Sequence, residues 1–142
     1  MSAGSERVFV DTNVLVYAHD LSAGQKRQRS EDLVLELWES ELGCVSVQVL
    51  QEFYNAITRR VPNPLGWQEA QAIVRDLSAW TVHSPTAEDV IQAIEIEQRH
   101  SISFWDAMIV RSAMQTGCRS LLSEDLDAGQ TYSGVTVVNP FL

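Results

Sequence analysis

The sequence is poor in the residues that staple chains, grip phosphates or hold nucleic acid by bulk charge. It has two cysteines, Cys44 and Cys118, too few for a disulfide framework or a zinc motif; each sits beside an apolar run and reads as a buried thiol. It has one lysine, Lys26, and three histidines, His19, His83 and His100, so widely spaced that they read as surface or structural residues. No glycine-rich loop follows an apolar run, which leaves nucleotide binding of the P-loop or dinucleotide kind unsupported. No apolar stretch has the length of a membrane span or a signal peptide, so a cytoplasmic protein with no membrane partner is expected. Basic charge is scarce as well: 10 Lys and Arg face 19 Asp and Glu, a net charge of −9. That balance argues against simple adhesion to nucleic acid, and a polyanionic substrate would need metal ions or a local basic patch.

What is present is a chain of 142 residues, 45% hydrophobic, enough for one domain over residues 1–142 with its own core. Residues 1–6 read as a flexible tail. The organising stretch is Val8-Phe9-Val10-Asp11-Thr12-Asn13. Three apolar residues without alternation suit a strand covered on both faces, and the polar residues end it, which leaves the Asp11 carboxylate at the strand's carboxyl end. Taken alone, Asp11 is best read as the N-cap of the helix that begins near Val14.

The rest of the chain alternates helices and strands. A helix over about 25–41 carries Leu33, Val34, Leu37 and Trp38 on one face, with Lys26, Arg27 and Arg29 in its first turns. Residues 43–47 form a second strand, followed at once by a helix whose apolar face is Val49, Leu50, Phe53 and Ile57, which carries Glu52 and closes at Arg59-Arg60 before Pro62 and Pro64. A helix over 67–77, a strand over 80–83 and a helix opened by Thr86 and Asp89 come next. Ser103, with Asp106 three residues on, opens a helix that stops at Gly117; strands follow at 118–122 and 135–138, joined by a polar turn.

This alternation predicts a parallel sheet with helices on both faces. Asp11 and Asp125 follow strands directly and therefore sit at the sheet's carboxyl edge. Glu52 lies one or two turns into a helix that starts at that edge. The Asp106 helix feeds the next strand through a tight turn and runs antiparallel to it, so its N-terminus reaches the same rim. Each carboxylate has a bland explanation, but the coincidence of all four does not. Packed ionised carboxylates repel one another unless a cation neutralises them, and an oxygen-only set favours Mg²⁺ or Mn²⁺ over zinc.

Val10-Asp11-Thr12-Asn13, Gln51-Glu52-Phe53, Ser103-Phe104-Trp105-Asp106-Ala107 and Leu122-Ser123-Glu124-Asp125-Leu126 resemble, in order and spacing, the four acidic motifs of PIN-domain ribonucleases, and the last is similar in form to that of VapC-type toxins. The resemblance implies a three-layer α/β/α fold with a central parallel sheet of four or five strands. It also implies that Asp11, Glu52, Asp106 and Asp125 hold Mg²⁺ or Mn²⁺, and that Thr12, Asn13, Ser46 and Ser123 surround the site. Asp127 either shares the fourth acidic role or faces solvent.

The activity so implied is metal-dependent endoribonuclease cleavage that leaves 5′-phosphate and 3′-hydroxyl ends. The implied partners are an RNA substrate, a cognate antitoxin lying across the acidic groove, and a second copy of the chain. Lys26, Arg27, Arg29, Arg59 and Arg60 are either contacts to the RNA backbone or solvated surface. Two other readings are open. A PIN-like interaction module without activity would leave the gathering of four like charges unexplained. An aspartyl-nucleophile phosphatase would want a second Asp where Asn13 stands and a lysine near a late strand, whereas Lys26 lies in an early helix.

Overall fold

The computed structural model describes residues 6–142; the expected tail, apart from Glu6, lies outside the described residues. The elements in order are β1 Val8–Val10, α1 Thr12–His19, α2 Gln25–Ser40, β2 Gly43–Ser46, α3 Val47–Arg59, α4 Trp67–Leu77, β3 Thr81–His83, α5 Ala87–His100, α6 Phe104–Gln115, β4 Ser120–Leu122, β5 Thr131–Tyr132 and β6 Val135–Val138. The sheet order is β3-β2-β1-β4-β6-β5, with every neighbouring pair parallel except β5 and β6. Five strands thus form the expected parallel sheet. The sixth, β5, is a two-residue edge that the sequence presents as part of a polar turn; it pairs back on β6 through Ser133 and Gly134, both at positive φ.

The order dictates the layers. The steps from β1 to β2 and from β2 to β3 move outward in one direction, so right-handed crossovers put α1 to α4 on one face. The step from β3 returns past β1 to β4, which puts α5 and α6 on the other face. Helix contacts follow this division: α1 packs on α2 and α3, α3 on α4, and α5 on α6. β1 and β4 are the strands at which the direction reverses, and the crevice beyond their carboxyl ends is where open α/β sheets bind ligands.

The core explains the local sequence. Phe9, Val10, Cys44, Val45 and Leu121 are fully buried in the sheet, and Val49, Phe53 and Ile57, spaced four apart, seal α3 against it. Both cysteines are free and buried, as expected. In α5 the buried residues are Asp89, Ala93 and Ile96, while Val90, Ile91 and Ile94 are exposed. The helix is turned this way because Asp89 is drawn inward: Arg111 Nε of α6 donates to it at 2.9 Å, His83 Nε2 of β3 lies 3.1 Å away, and Thr86 completes a capping box with it. Ser112, His83 and Asp89 even share the connectivity of a hydrolytic triad, with Ser112 Oγ 2.8 Å from His83 Nδ1, but Ser112 is fully buried and no substrate can reach it. Among the described residues no helix is long and apolar enough to cross a membrane.

Burial alone would raise the Asp89 pKa, but the Thr86 N–H, the Arg111 guanidinium and His83 outweigh it and hold the carboxyl below its ordinary value. The stability this group contributes is therefore full above the unfolded carboxylate range and is lost as pH falls through the depressed folded value. Asp89→Asn, which takes the charge partner from the partly buried Arg111, should cost about 3 kcal/mol at pH 7 in urea unfolding, and less as the pH is lowered. A loss that does not change with pH would show that the carboxylate's charge is not what holds these elements.

Candidate active site

The site grows from the end of β1. The Asp11 N–H still bonds the Leu122 carbonyl of β4 at 3.0 Å, so the sheet fixes the Asp11 backbone. Its side chain then caps α1, with Oδ1 accepting the Thr12 N–H at 2.7 Å, and Oδ2 accepting the Ser123 hydroxyl at 2.8 Å. Only 4% of the residue is exposed. The helix-cap role and the place at the sheet edge are therefore two aspects of one geometry.

Short polar side chains connect the other carboxylates to Asp11. Thr12 Oγ1 donates to Glu52 Oε1 at 2.7 Å while its N–H serves Asp11. Ser123 Oγ accepts the Asp125 N–H at 3.1 Å while its hydroxyl serves Asp11. Gln48, one turn before Glu52, donates to Glu52 Oε2 and to the Trp105 carbonyl, each at 3.3 Å, and so ties α3 to the first turn of α6, where Asp106 stands. Ser103 Oγ accepts the Asp106 N–H at 3.1 Å; among the described residues only Thr86 and Asp89 complete the reciprocal arm of a capping box.

The four carboxylates share one electrostatic environment. Burial pushes the Asp11 pKa up to about 7, against the pull of Ser123 and Thr12, and Asp125 and Glu52 add to the rise. Burial also raises Asp106, with Ser103 opposing and Asp125 and Glu52 again adding. Among the described residues no salt bridge involves any of the four. Nor are any three acidic, histidine or cysteine side chains there already placed to hold a metal ion together. The arrangement is an open, all-oxygen, negatively charged cluster whose innermost member has no counter-charge. Its donor chemistry fits a hard divalent cation such as Mg²⁺ or Mn²⁺.

The remaining expected residues divide by place. A cleft of about 440 Å³ is lined by Thr12, Asn13, Glu52, Arg60 and Asp125, together with Tyr17 and Asn55. Asn13 Oδ1 accepts the Glu124 N–H at 3.3 Å, and its buried Nδ2 has no partner. Ser46 is fully buried and caps α3 through the Val49 N–H, away from open solvent. Arg59 turns to Thr58 and the Tyr54 ring. Arg27 pairs with Glu31, Arg29 donates to the Pro140 carbonyl, and Lys26 pairs with Glu124, so each is engaged within the fold. Asp127 is exposed and acts on Tyr132; the charges acting on Asp11 and Asp106 are Asp125 and Glu52. Gln48, Asn55 and Tyr17 were not foreseen as part of the site. The first two lie four before and three after Glu52 on one helix face, a spacing that could have marked them.

A mostly parallel α/β sheet with an acidic cluster at its reversal point defines the class, and the sequence agrees: the PIN domain family matches residues 8–133, and the chain belongs to that family. Among solved structures, the fold is similar to that of Mycobacterium tuberculosis VapC20, a sarcin–ricin loop cleaving toxin, at TM-score 0.64 and 21% identity over 83% of this chain and 89% of that one. It is similar to a chain of a toxin–antitoxin complex from Klebsiella pneumoniae, at TM-score 0.66 and 19% identity over 94% and 97% of the two chains. It also resembles a chain of DNA-bound VapBC from Salmonella typhimurium, at TM-score 0.63 and 17% identity over 92% and 96%. No curated protein sequence matches the chain.

Because the folded Asp11 pKa lies above its unfolded value, the metal-free protein loses stability as pH rises from the ordinary carboxylate range through about 7. Asp11→Asn keeps a carbonyl for Thr12 and offers an N–H to Ser123, and removes this penalty. Thermal and urea unfolding without metal should find the variant more stable than wild type at pH 8, by on the order of 3 kcal/mol, and nearly equal at pH 4. A variant less stable than wild type at pH 8 would contradict uncompensated burial of the charge.

Proposed function

We propose that this PIN domain is a Mg²⁺- or Mn²⁺-dependent endoribonuclease and the toxin of a type II toxin–antitoxin pair. The observation that carries this reading is the carboxylate cluster, with Asp11 buried and, among the described residues, no Lys, Arg or His side chain in a salt bridge with any of the four. Asp11, Glu52, Asp106 and Asp125 would hold the metal. When bound, it supplies an acidified water and offsets charge on the phosphate.

The chain's own residues do the rest. Thr12 and Ser123 hold the Asp11 and Glu52 carboxylates in fixed orientation, as ligand-orienting partners do in metal sites. Arg60 and Asn55 on the cleft wall are donors suited to phosphate oxygens. In-line attack on the phosphorus with departure of the 3′ oxygen leaves a 5′-phosphate and a 3′-hydroxyl. The cluster's negative charge makes Arg60 the main local attraction for a phosphate backbone in the absence of metal, in keeping with the net charge of −9.

The likeness to chains from toxin–antitoxin complexes supports an antitoxin partner, whose segment would cover the cleft and place a basic side chain against the carboxylates. A homodimer within such a complex, working in the cytoplasm, completes the proposal. The decisive experiment is cleavage of RNA by the pure protein with Mg²⁺ or Mn²⁺, with chelator, and with Asp11→Asn and Glu52→Gln. Chelator should abolish cleavage. Each substitution should lower the rate by about 100-fold or more, at least what losing an outer partner of a metal ligand costs. Wild type that binds Mn²⁺ but cuts no RNA would favour an interaction module instead.

A further inference from the structure

Three of the four acidic residues stand on regular structure: Asp11 at the end of a strand, Glu52 and Asp106 on helices. Asp125 does not. It is exposed, in the irregular segment between β4 and β5, and its backbone contact is the N–H bond to Ser123 Oγ. Leu126, buried in the core, anchors the far side of this turn. What fixes the near side is the residue immediately before it, Glu124.

Glu124 is held on three sides. Its N–H donates to Asn13 Oδ1 at 3.3 Å, the Tyr17 hydroxyl donates to Oε1 at 2.5 Å, and the Lys26 ammonium pairs with Oε2. The ammonium is held in turn, 5.1 Å from the centre of the Tyr17 ring and 5.6 Å from that of Phe141, and those two rings meet edge to face at 5.3 Å. Phe141 belongs to the C-terminal segment, which Arg29 fastens to α2 through the Pro140 carbonyl at 3.2 Å. Tyr17 of α1 and Lys26 of α2 thus converge on the Glu124 side chain, and Phe141 of the C-terminal segment packs behind both. Lys26, the only lysine in the chain, is part of this clamp.

On the reading of the acidic cluster as a metal site, we infer that Glu124, clamped by Lys26 and Tyr17, is a positioning residue that holds Asp125 in register with Asp11, Glu52 and Asp106. Lys26 acts through Glu124, and RNA binding is not its role. Losing an outer partner of this kind weakens metal affinity by roughly 10- to 100-fold in metal sites generally.

The test measures Mn²⁺ binding to the pure protein, read as free Mn²⁺ by electron paramagnetic resonance, and hydrogen exchange of the 123–127 amides without metal. Lys26→Met and Glu124→Gln should each weaken Mn²⁺ binding about 10-fold, and the double variant should be no weaker than either single, because both act through one contact. Lys26→Arg, which keeps a cation that can pair with a carboxylate, should bind like wild type. In both weakened variants the 123–127 amides should exchange faster while those of β1 and α3 do not. Acetylation of amines should reproduce the loss in wild type and leave Lys26→Arg unaffected. Wild-type Mn²⁺ affinity in Lys26→Met and Glu124→Gln overturns the inference, as do additive losses in the double variant. Failure of the wild type itself to bind Mn²⁺ overturns the metal-site reading instead.

Discussion

A carboxylate taken out of water must be paired, protonated or given a cation, and this protein buries two aspartates that meet the requirement in opposite ways. Asp89, between the two helices of one face and β3, has Arg111, His83 and Thr86 around it, and its carboxyl is held below the ordinary range. Asp11, at the end of β1, has two hydrogen bonds and two further carboxylates, and its carboxyl is pushed up to about 7. The first environment is closed and stabilises the fold. The second leaves the carboxyl without a basic partner, and the polar contacts of the site are built around it.

The fold turns this local tension into a cluster. β1 and β4 lie side by side at the reversal of strand order, so the residues that follow them, Asp11-Thr12 and Ser123-Asp125, are neighbours in space although more than a hundred positions apart in sequence. α3 starts at the same edge, with an apolar seam of Val49, Phe53 and Ile57 that sets its rotation and leaves Gln48, Glu52 and Asn55 on the adjoining face. Small hydroxyl side chains at positions 12 and 123 then serve as connectors. Thr12 binds Asp11 through its N–H and Glu52 through its hydroxyl, and the Ser123 hydroxyl donates to Asp11 while accepting the Asp125 N–H. Such bonds orient a carboxylate before any ligand arrives.

Much of the frame was legible in the residues because its causes are local or periodic. Unbroken Val8-Phe9-Val10 reads as a strand covered on both faces, and α3 shows its buried seam plainly. The alternation of elements fixes which strand and helix ends share a rim. The two-residue β5 was not legible, since its pairing depends on a turn and on β6 and no apolar pattern marks it. The orientation of α5 was equally hidden. Val90, Ile91 and Ile94 suggest a face, yet the pairing of Asp89 with Arg111 turns that face outward.

For the site, sequence alone determined which carboxylates arrive at one rim, because topology is a consequence of element order and chain direction. Tertiary structure decided which of them is sealed from water and which polar residues mediate. It placed Ser46 inside as a cap, Arg60 on the cleft wall, Lys26 on Glu124, and Gln48 between Glu52 and the helix of Asp106. These assignments depend on side-chain reach and burial across separate elements. Residue order does not encode such distances.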